Sequence, residues 1–324
     1  TLVSAHDADT DHHEGATYLW VMGELRAVGE ETGVDPTSMF ELPANGNFEG
    51  QYHLVRNSET PLTPEQEAFV QQLLARRRDR SQPEVDRKIV TAWNALAGVG
   101  MVAASRYLDR TDLLERARKL LRELRDRNQT PEGRWLRSSL DGRVNSAEFL
   151  EDYAAVLLLT TYLAEHASTQ AELSDWTQEI QALERSIRRF YTPGGWIAAI
   201  TQDFEPIPAE TFDAPTPSPV SLAELALIRA ALVQDRAPAL PASFPATGWG
   251  KVQERDAHNL AVLVASSEWY VLHRTHPEPW SRLPPNVIQI PAEHDDWCHR
   301  MVCRPGLPAT WNPAPPDHQS PSQA

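Results

Sequence analysis

Three stretches gather side chains suited to acid–base work or to holding hydroxyl groups. They are Asp86-Arg87-Lys88 with Thr91-Ala92-Trp93-Asn94, then Glu148-Phe149-Leu150-Glu151-Asp152-Tyr153, then Glu210-Thr211-Phe212-Asp213 with Pro217-Ser218. Carboxylates, an indole, an amide and a phenol around one cavity are what a sugar or polyol site uses. Aromatic faces stack on the apolar faces of such ligands, and carboxylates bond hydroxyls or transfer protons. Each residue taken singly has a plainer use. Glu151, Asp152 and Asp213 suit helix N-termini, where the backbone dipole favours negative charge, and Trp93 suits a core. Recurrence at three comparable positions is what sets the group apart.

Other chemistry is less well supported. Asp7-Ala8-Asp9-Thr10-Asp11 alternates as a calcium loop does, but His12 and Tyr18 stand where an EF-hand needs Gly and Glu. His6, His12 and His13 lack the helical spacing of a zinc pair. Cys298 and Cys303 match no strong zinc pattern, so a buried or reduced pair is expected, and with it a reducing, cytoplasmic setting. No phosphate-binding glycine loop, nucleophile elbow or zincin motif occurs. Neither a metal nor a cofactor is therefore expected.

The elements that must position these loops are helical. Thr63-Pro64-Glu65-Gln66 reads as a capping box opening a helix to about Arg80. Residues 89–108 are rich in small side chains (Ala92, Ala95, Ala97, Gly98, Gly100, Ala103, Ala104), which predicts an inner helix that neighbours approach closely. Residues 112–127 carry one apolar stripe and one charged face, which predicts an outer helix. The pair recurs as a strongly apolar inner helix over 147–166 and an outer helix over 172–191. A third inner helix is expected over 220–234. Each outer helix is followed by the same phrase, Thr130-Pro131-Glu132-Gly133-Arg134-Trp135 and then Thr192-Pro193-Gly194-Gly195-Trp196. A fixed period carrying two helices points to repeated helical hairpins. Leu140-Asp141-Gly142-Arg143 predicts a small β-hairpin after the first phrase, and Val287-Ile288-Gln289-Ile290 a strand.

The expected organisation is a partial (α/α) ring over 1–235, an extension with one or two short strands over 236–304, and a disordered Pro-, Ser- and Gln-rich tail over 305–324. The chain's 30 Lys+Arg against 45 Asp+Glu give a net charge of −15, which argues against nucleic acid or an anionic membrane as partner. No apolar run approaches the roughly 20 residues that span a bilayer. Thr1-Leu2-Val3-Ser4 runs straight into a polar motif, so the sequence is expected to begin inside a larger protein.

Five motifs in order carry a family resemblance: Ser4-Ala5-His6-Asp7-Ala8-Asp9 with Glu14-Gly15 and Tyr18-Leu19-Trp20; Gly46-Asn47-Phe48-Glu49-Gly50; Asp86-Arg87-Lys88-Ile89-Val90-Thr91-Ala92-Trp93-Asn94; Phe149-Leu150-Glu151-Asp152-Tyr153-Ala154; and Trp297-Cys298-His299-Arg300-Met301-Val302-Cys303. They resemble the thioredoxin-domain-containing, spermatogenesis-associated-protein-20-like family. The resemblance implies an all-α fold, a helical-hairpin toroid of the six-hairpin glycosidase type, here incomplete, with short β-hairpins. It also implies a thioredoxin-like domain or subunit as partner. The loop Phe212 to Ser221 departs from the family pattern in lacking its glycines and its Asn.

Taken together, Asp7, Asp9, Glu151, Asp152 and Asp213 are the candidate acid–base or hydroxyl-binding groups. Glu49, Lys88, Trp93, Asn94 and Tyr153 are candidate substrate contacts, with Trp93 and Tyr153 as stacking platforms. The expected function is a saccharide- or polyol-binding site in carbohydrate metabolism, the rival a non-catalytic module that docks a thioredoxin-like partner, or a remnant without activity.

Overall fold

Short strands close each helical pair, and a separate sheet follows them. A computed structural model describes residues 1–201, 205–211, 214–236, 269–275, 287–299 and 302–305. The chain divides into two compact units, Val3–Arg87 and a larger one made of Thr1–Leu2 with the described residues from Lys88 onward.

The smaller unit packs α1 (Met22–Thr32) and α2 (Pro64–Arg78) around Trp20, Leu25, Val28, Phe40, Phe69 and Leu73. The capping box forms as expected. Thr63 Oγ1 accepts from the Gln66 N–H at 3.3 Å, and Gln66 Oε1 accepts from the Thr63 N–H at 3.0 Å. Arg76, Arg77 and Arg78 occupy the last turn, where the dipole favours cations. β1 (Ala5–His6) pairs with β4 (Val85–Asp86), and β2 (Asp9–Thr10) with β3 (His13–Glu14). The β2–β3 turn holds Asp11 and His12 at φ 54° and 64°, the left-handed pair of a type I′ turn and not a calcium loop.

In the larger unit, α3 (Thr91–Tyr107), α5 (Leu150–Ala164) and α7 (Pro219–Val233) form the buried row, with α4 (Thr111–Asn128) packed on α3 and α6 (Gln170–Ile187) on α5. The small residues of α3 act as expected: a side chain on Gly98 would meet Leu159 Cδ2 at 2.8 Å, so α5 seats against bare backbone there. Ala117, Leu120, Leu121 and Leu124 turn inward on α4, and Leu173, Ile180, Leu183 and Ile187 on α6. Nearly all of α5 is buried.

The repeated phrase has a definite structural task. β5 (Ile89–Val90), just before α3, pairs with β6 (Ser138–Leu140), just after the first phrase. The Thr91 N–H donates to the Arg137 carbonyl at 3.0 Å. β6 continues into the hairpin with β7 (Arg143–Asn145), its turn at Asp141 and Gly142 (φ 49° and 79°). One repeat later, β8 (Glu148–Phe149) precedes α5 and pairs with β11 (Ala199–Ile200), which follows the second phrase and its small hairpin of β9 (Tyr191–Thr192) and β10 (Gly195–Trp196). The Leu150 N–H donates to the Ala198 carbonyl at 2.9 Å. Each inner–outer helix pair is thus closed at its start by a strand from its own end.

The all-α toroid expectation is overturned. With 46% helix and 19% strand among the described residues, the fold is mixed α/β. The described residues hold seven α-helices and six small sheets. Besides the closing strands, β12 (Tyr270–Arg274), β13 (Val287–Pro291), β14 (Asp296–His299) and β15 (Val302–Pro305) build a four-stranded sheet in the order β13-β12-β14-β15, with β12–β13 parallel. Val271, Leu272, Val287, Ile288 and Ile290 are buried there, a core of mostly β-branched residues that the helical period does not describe. Of the tail expected to be disordered over 305–324, Pro305 ends β15 and 306–324 lie outside the described residues.

Of the expected buried or reduced cysteine pair, burial holds for Cys298 and reduction does not: Cys298 is disulfide-bonded. The β14–β15 register sets Cys298 opposite Cys303, so a spacing that reads as a weak metal motif is the two sides of a β-hairpin.

Candidate functional site

Two buried charge clusters lie at opposite ends of α5, about 20 Å apart at 1.5 Å per residue. At its start, Asp152 is fully buried in the first turn. Its Oδ1 accepts from the Ala92 N–H of α3 at 2.9 Å and from Arg137 Nη1 at 3.1 Å, while Oδ2 has no hydrogen-bond partner. Arg137 Nη1 also donates to Glu151 Oε2 at 2.6 Å, so one guanidinium nitrogen serves both carboxylates. Burial pushes the Asp152 carboxyl up to about 7; Arg137 opposes the shift and Glu151 adds to it. For Arg137, burial works against the charge, but Asp152 and then Glu151 outweigh it and raise its pKa. The guanidinium also lies over the Phe149 ring at 5.3 Å.

Next to Asp152, Tyr153 is fully buried and anchors a second network. Its hydroxyl donates to Glu148 and accepts from the Trp135 N–H at 3.0 Å and from Arg189 Nη2 at 3.2 Å. Burial, then the bond to Glu148, holds its hydroxyl above the ordinary phenol range. This ring is enclosed and offers no stacking face. A cleft of about 340 Å³ opens beside the network, lined by Gln129, Glu132, Trp135, Glu179, Arg185 and Arg189 among others.

The other sequence candidates are placed as follows. Trp93 is 44% exposed at the start of α3, one residue past Ala92, whose amide Asp152 holds. Asn94 is buried; its Nδ2 donates to the Leu2 and Val90 carbonyls at 3.0 Å each, and its Oδ1 accepts from the Leu2 N–H at 2.7 Å. That amide pins the N-terminal segment. Lys88 is exposed just before β5. Asp7, Asp9 and Glu49 belong to the smaller unit and are exposed. Asp7 Oδ1 accepts from the Asp9 N–H at 3.1 Å, a local turn, and Glu49 has φ 46° in the turn closed by the Gln51 N–H to Phe48 carbonyl bond at 2.8 Å. Asp213 lies outside the described residues. The structure therefore gathers Glu151 and Asp152 around Arg137 beside the Trp93 segment.

Sequence reasoning missed Arg137 and Arg189 as partners. The signal for Arg137 was its place directly after Trp135-Leu136, where the phrase turns back onto the preceding helix. Arg189 carries no such mark.

At the far end of α5, Glu165 pairs with Arg106 (2.6 Å) and with Arg229, which is fully buried under the Tyr162 ring at 3.8 Å. Arg106 Nε donates to His166 Nε2 at 3.1 Å. Burial, then Arg106 and Arg118, press His166 down to about 3. These groups tie α3, α5 and α7 together.

A scan against protein-family models finds no match, and no curated protein matches the chain. Among the described residues, no helix is long and apolar enough to cross a membrane.

Proposed function

We propose that the face around the first turns of α3 and α5 binds a small polyhydroxylated ligand, a sugar or polyol, and that Asp152 acts there as a proton donor beside the carboxylate Glu151. The observation that carries this reading is Asp152 itself: a buried carboxyl near 7 with one oxygen unpartnered, one residue from a second carboxyl on the same arginine. Neighbouring carboxyls with different environments are how one site holds an acid and a base at once. The exposed indole of Trp93 supplies a stacking face on the adjoining turn. The test is thermal stabilisation of the full chain by a panel of monosaccharides and polyols. Trp93→Ala, at an exposed position, and Glu151→Gln should each abolish a stabilisation seen in the wild type. No stabilisation across the panel, or one that both variants retain, sinks the reading.

A second reading is favoured by a different observation. Trp93, Tyr107 and Leu108 expose large apolar surface along α3 and at its end (44%, 58% and 66%), as a face that docks another protein does. A thioredoxin-like partner is the specific form of this reading. A binding assay with such a domain, in which Tyr107→Ser and Leu108→Ser weaken capture but leave any sugar response intact, separates the two.

A further inference from the structure

A group of ligating side chains distinct from the Asp152 cluster meets where α7 ends against the C-terminal sheet. Asp235 follows α7, and its backbone is left-handed at φ 53°. Glycine would sit there with less strain, so what Asp adds is its carboxylate. That carboxylate faces the ring of His273 on β12, with Asp235 Oδ2 3.7 Å from His273 Nε2. On the other side of the ring, Nδ1 bonds Asp296 Oδ1 and lies 3.8 Å from Cys298 Sγ. One donor atom each from Asp235, His273 and Cys298 stands within 4.8 Å of the others.

Asp296 is occupied on both oxygens, since Oδ2 meets His294 Nε2 at 3.1 Å. It holds the imidazole through Nδ1 and leaves Nε2 facing Asp235, the carboxylate–histidine arrangement that orients a metal-ligating ring. The nearest cation in sequence, Arg236, is engaged elsewhere, with both Glu184 oxygens at 2.9 Å. Asp235, His273, Glu293 and His294 also line a cleft of about 550 Å³, which gives an ion a route in. One element is missing from a complete set. Cys298 is disulfide-bonded and carries no thiolate.

We propose that reducing the Cys298 disulfide creates a zinc-class site, with Cys298 Sγ, His273 and Asp235 as ligands and the fourth position open to the cleft. A thiolate, a carboxylate and a neutral imidazole together balance a divalent charge, and all three are established zinc ligand types. With metal–ligand bonds of about 2.0–2.3 Å, tetrahedral ligand atoms stand about 3.3–3.8 Å apart; Asp235 Oδ2 and His273 Nε2 already stand 3.7 Å apart, and Cys298 Sγ, now beside Nδ1, has to turn toward Nε2 once the disulfide opens. The chemistry balances as follows. A phosphine reductant and one water cleave the S–S bond, giving two thiols and the phosphine oxide. Metal binding then displaces the Cys298 thiol proton to solvent. The site is closed to metal when oxidised and opens on reduction.

The test uses the full chain and Zn²⁺ in competition with a chromophoric chelator, after reduction by a trialkylphosphine or in the oxidised form. One Zn²⁺ per reduced chain is expected, bound about 100-fold more tightly than by the oxidised chain. Co²⁺ should give a thiolate charge-transfer band that Cys298→Ser removes. Cys303→Ser leaves Cys298 without a disulfide partner inside the chain and should bind Zn²⁺ without reductant. Asp296→Asn should weaken Zn²⁺ about 10–100-fold while keeping the cobalt band. Asp235→Asn should weaken it at least about 10-fold, and because this side chain is exposed the variant keeps its fold. Equal Zn²⁺ affinity in the two redox states, or full affinity in a folded Asp235→Asn chain, overturns the proposal.

Discussion

Replacing Asp152 by Asn tests the electrostatics of the candidate site directly. The amide mimics the protonated acid: its oxygen can still accept from Ala92 and Arg137, but it cannot ionise. In the wild type the folded state raises the Asp152 pKa from 3.8 to about 7. The folded chain therefore holds this proton more tightly than the unfolded chain. The resulting stabilisation is complete below 3.8 and is lost as pH rises through about 7. At 1.36 kcal/mol per unit, the loss between about pH 4.5 and about pH 8.5 is about 3 kcal/mol. His166 works in the opposite direction. Its pKa falls from 6.5 to about 3, so its contribution is present above 6.5 and lost as pH falls toward 3. The wild-type profile alone blends the two slopes. Subtracting the Asp152→Asn profile removes the His166 part and leaves that of Asp152. The assay is urea unfolding of both chains across this range. Wild-type stability relative to the variant should fall by about 3 kcal/mol from acid to alkaline pH. Parallel curves, or a difference that grows with pH, would mean that Arg137 outweighs burial and would refute the reasoning.

Three further outcomes follow from the packing. Tyr153→Phe removes the hydroxyl that joins Glu148, the Trp135 N–H and Arg189, and strands a buried donor; equilibrium unfolding should show a loss of about 1–3 kcal/mol. Thr63→Ala deletes one half of the α2 capping box and should cost about 1 kcal/mol, read as a lowered denaturation midpoint. Leu157→Ala empties a fully buried position in the middle of α5 and should cost about 2–5 kcal/mol, while Leu108→Ala, 66% exposed, should change stability little.

The helices were legible because their signals are local. Small residues marked α3, a single apolar stripe marked α4, and Thr63 to Gln66 spelled out a cap; each observed boundary falls within a few residues of its expected place. The Thr-Pro-Trp phrase was legible as a repeat, but its task was not. Strand pairing such as Ile89 with Ser139 joins residues far apart in sequence, and two-residue strands carry no period to read. Of the C-terminal sheet, only one or two short strands were expected where four occur, because its pairing of β12 with β13 and β14 also joins residues far apart in sequence. Within the site, Glu151 and Asp152 were found from residue type and position. Burial turned two of the others to structural work: Tyr153 is enclosed and Asn94 ties down Leu2, and type alone cannot tell an enclosed phenol from an exposed one.

The grip of Asp152 on Ala92 crosses from one helix pair to the next. The backbone pairing that closes each starting strand, β5 with β6 and β8 with β11, runs within its own pair. In arrays of repeated units, stability divides into what each unit holds by itself and what it shares with its neighbour, and the shared part decides whether melting is all-or-none. Asp152 belongs to the second pair but fixes the first turn of the first. Its carboxyl is thus a nearest-neighbour coupling set by a proton. Burial favours its neutral form, whereas the bond from Ala92 favours the charged one, so as it ionises near neutrality the cost falls on the buried first turn of α5 while the tie to α3 tightens.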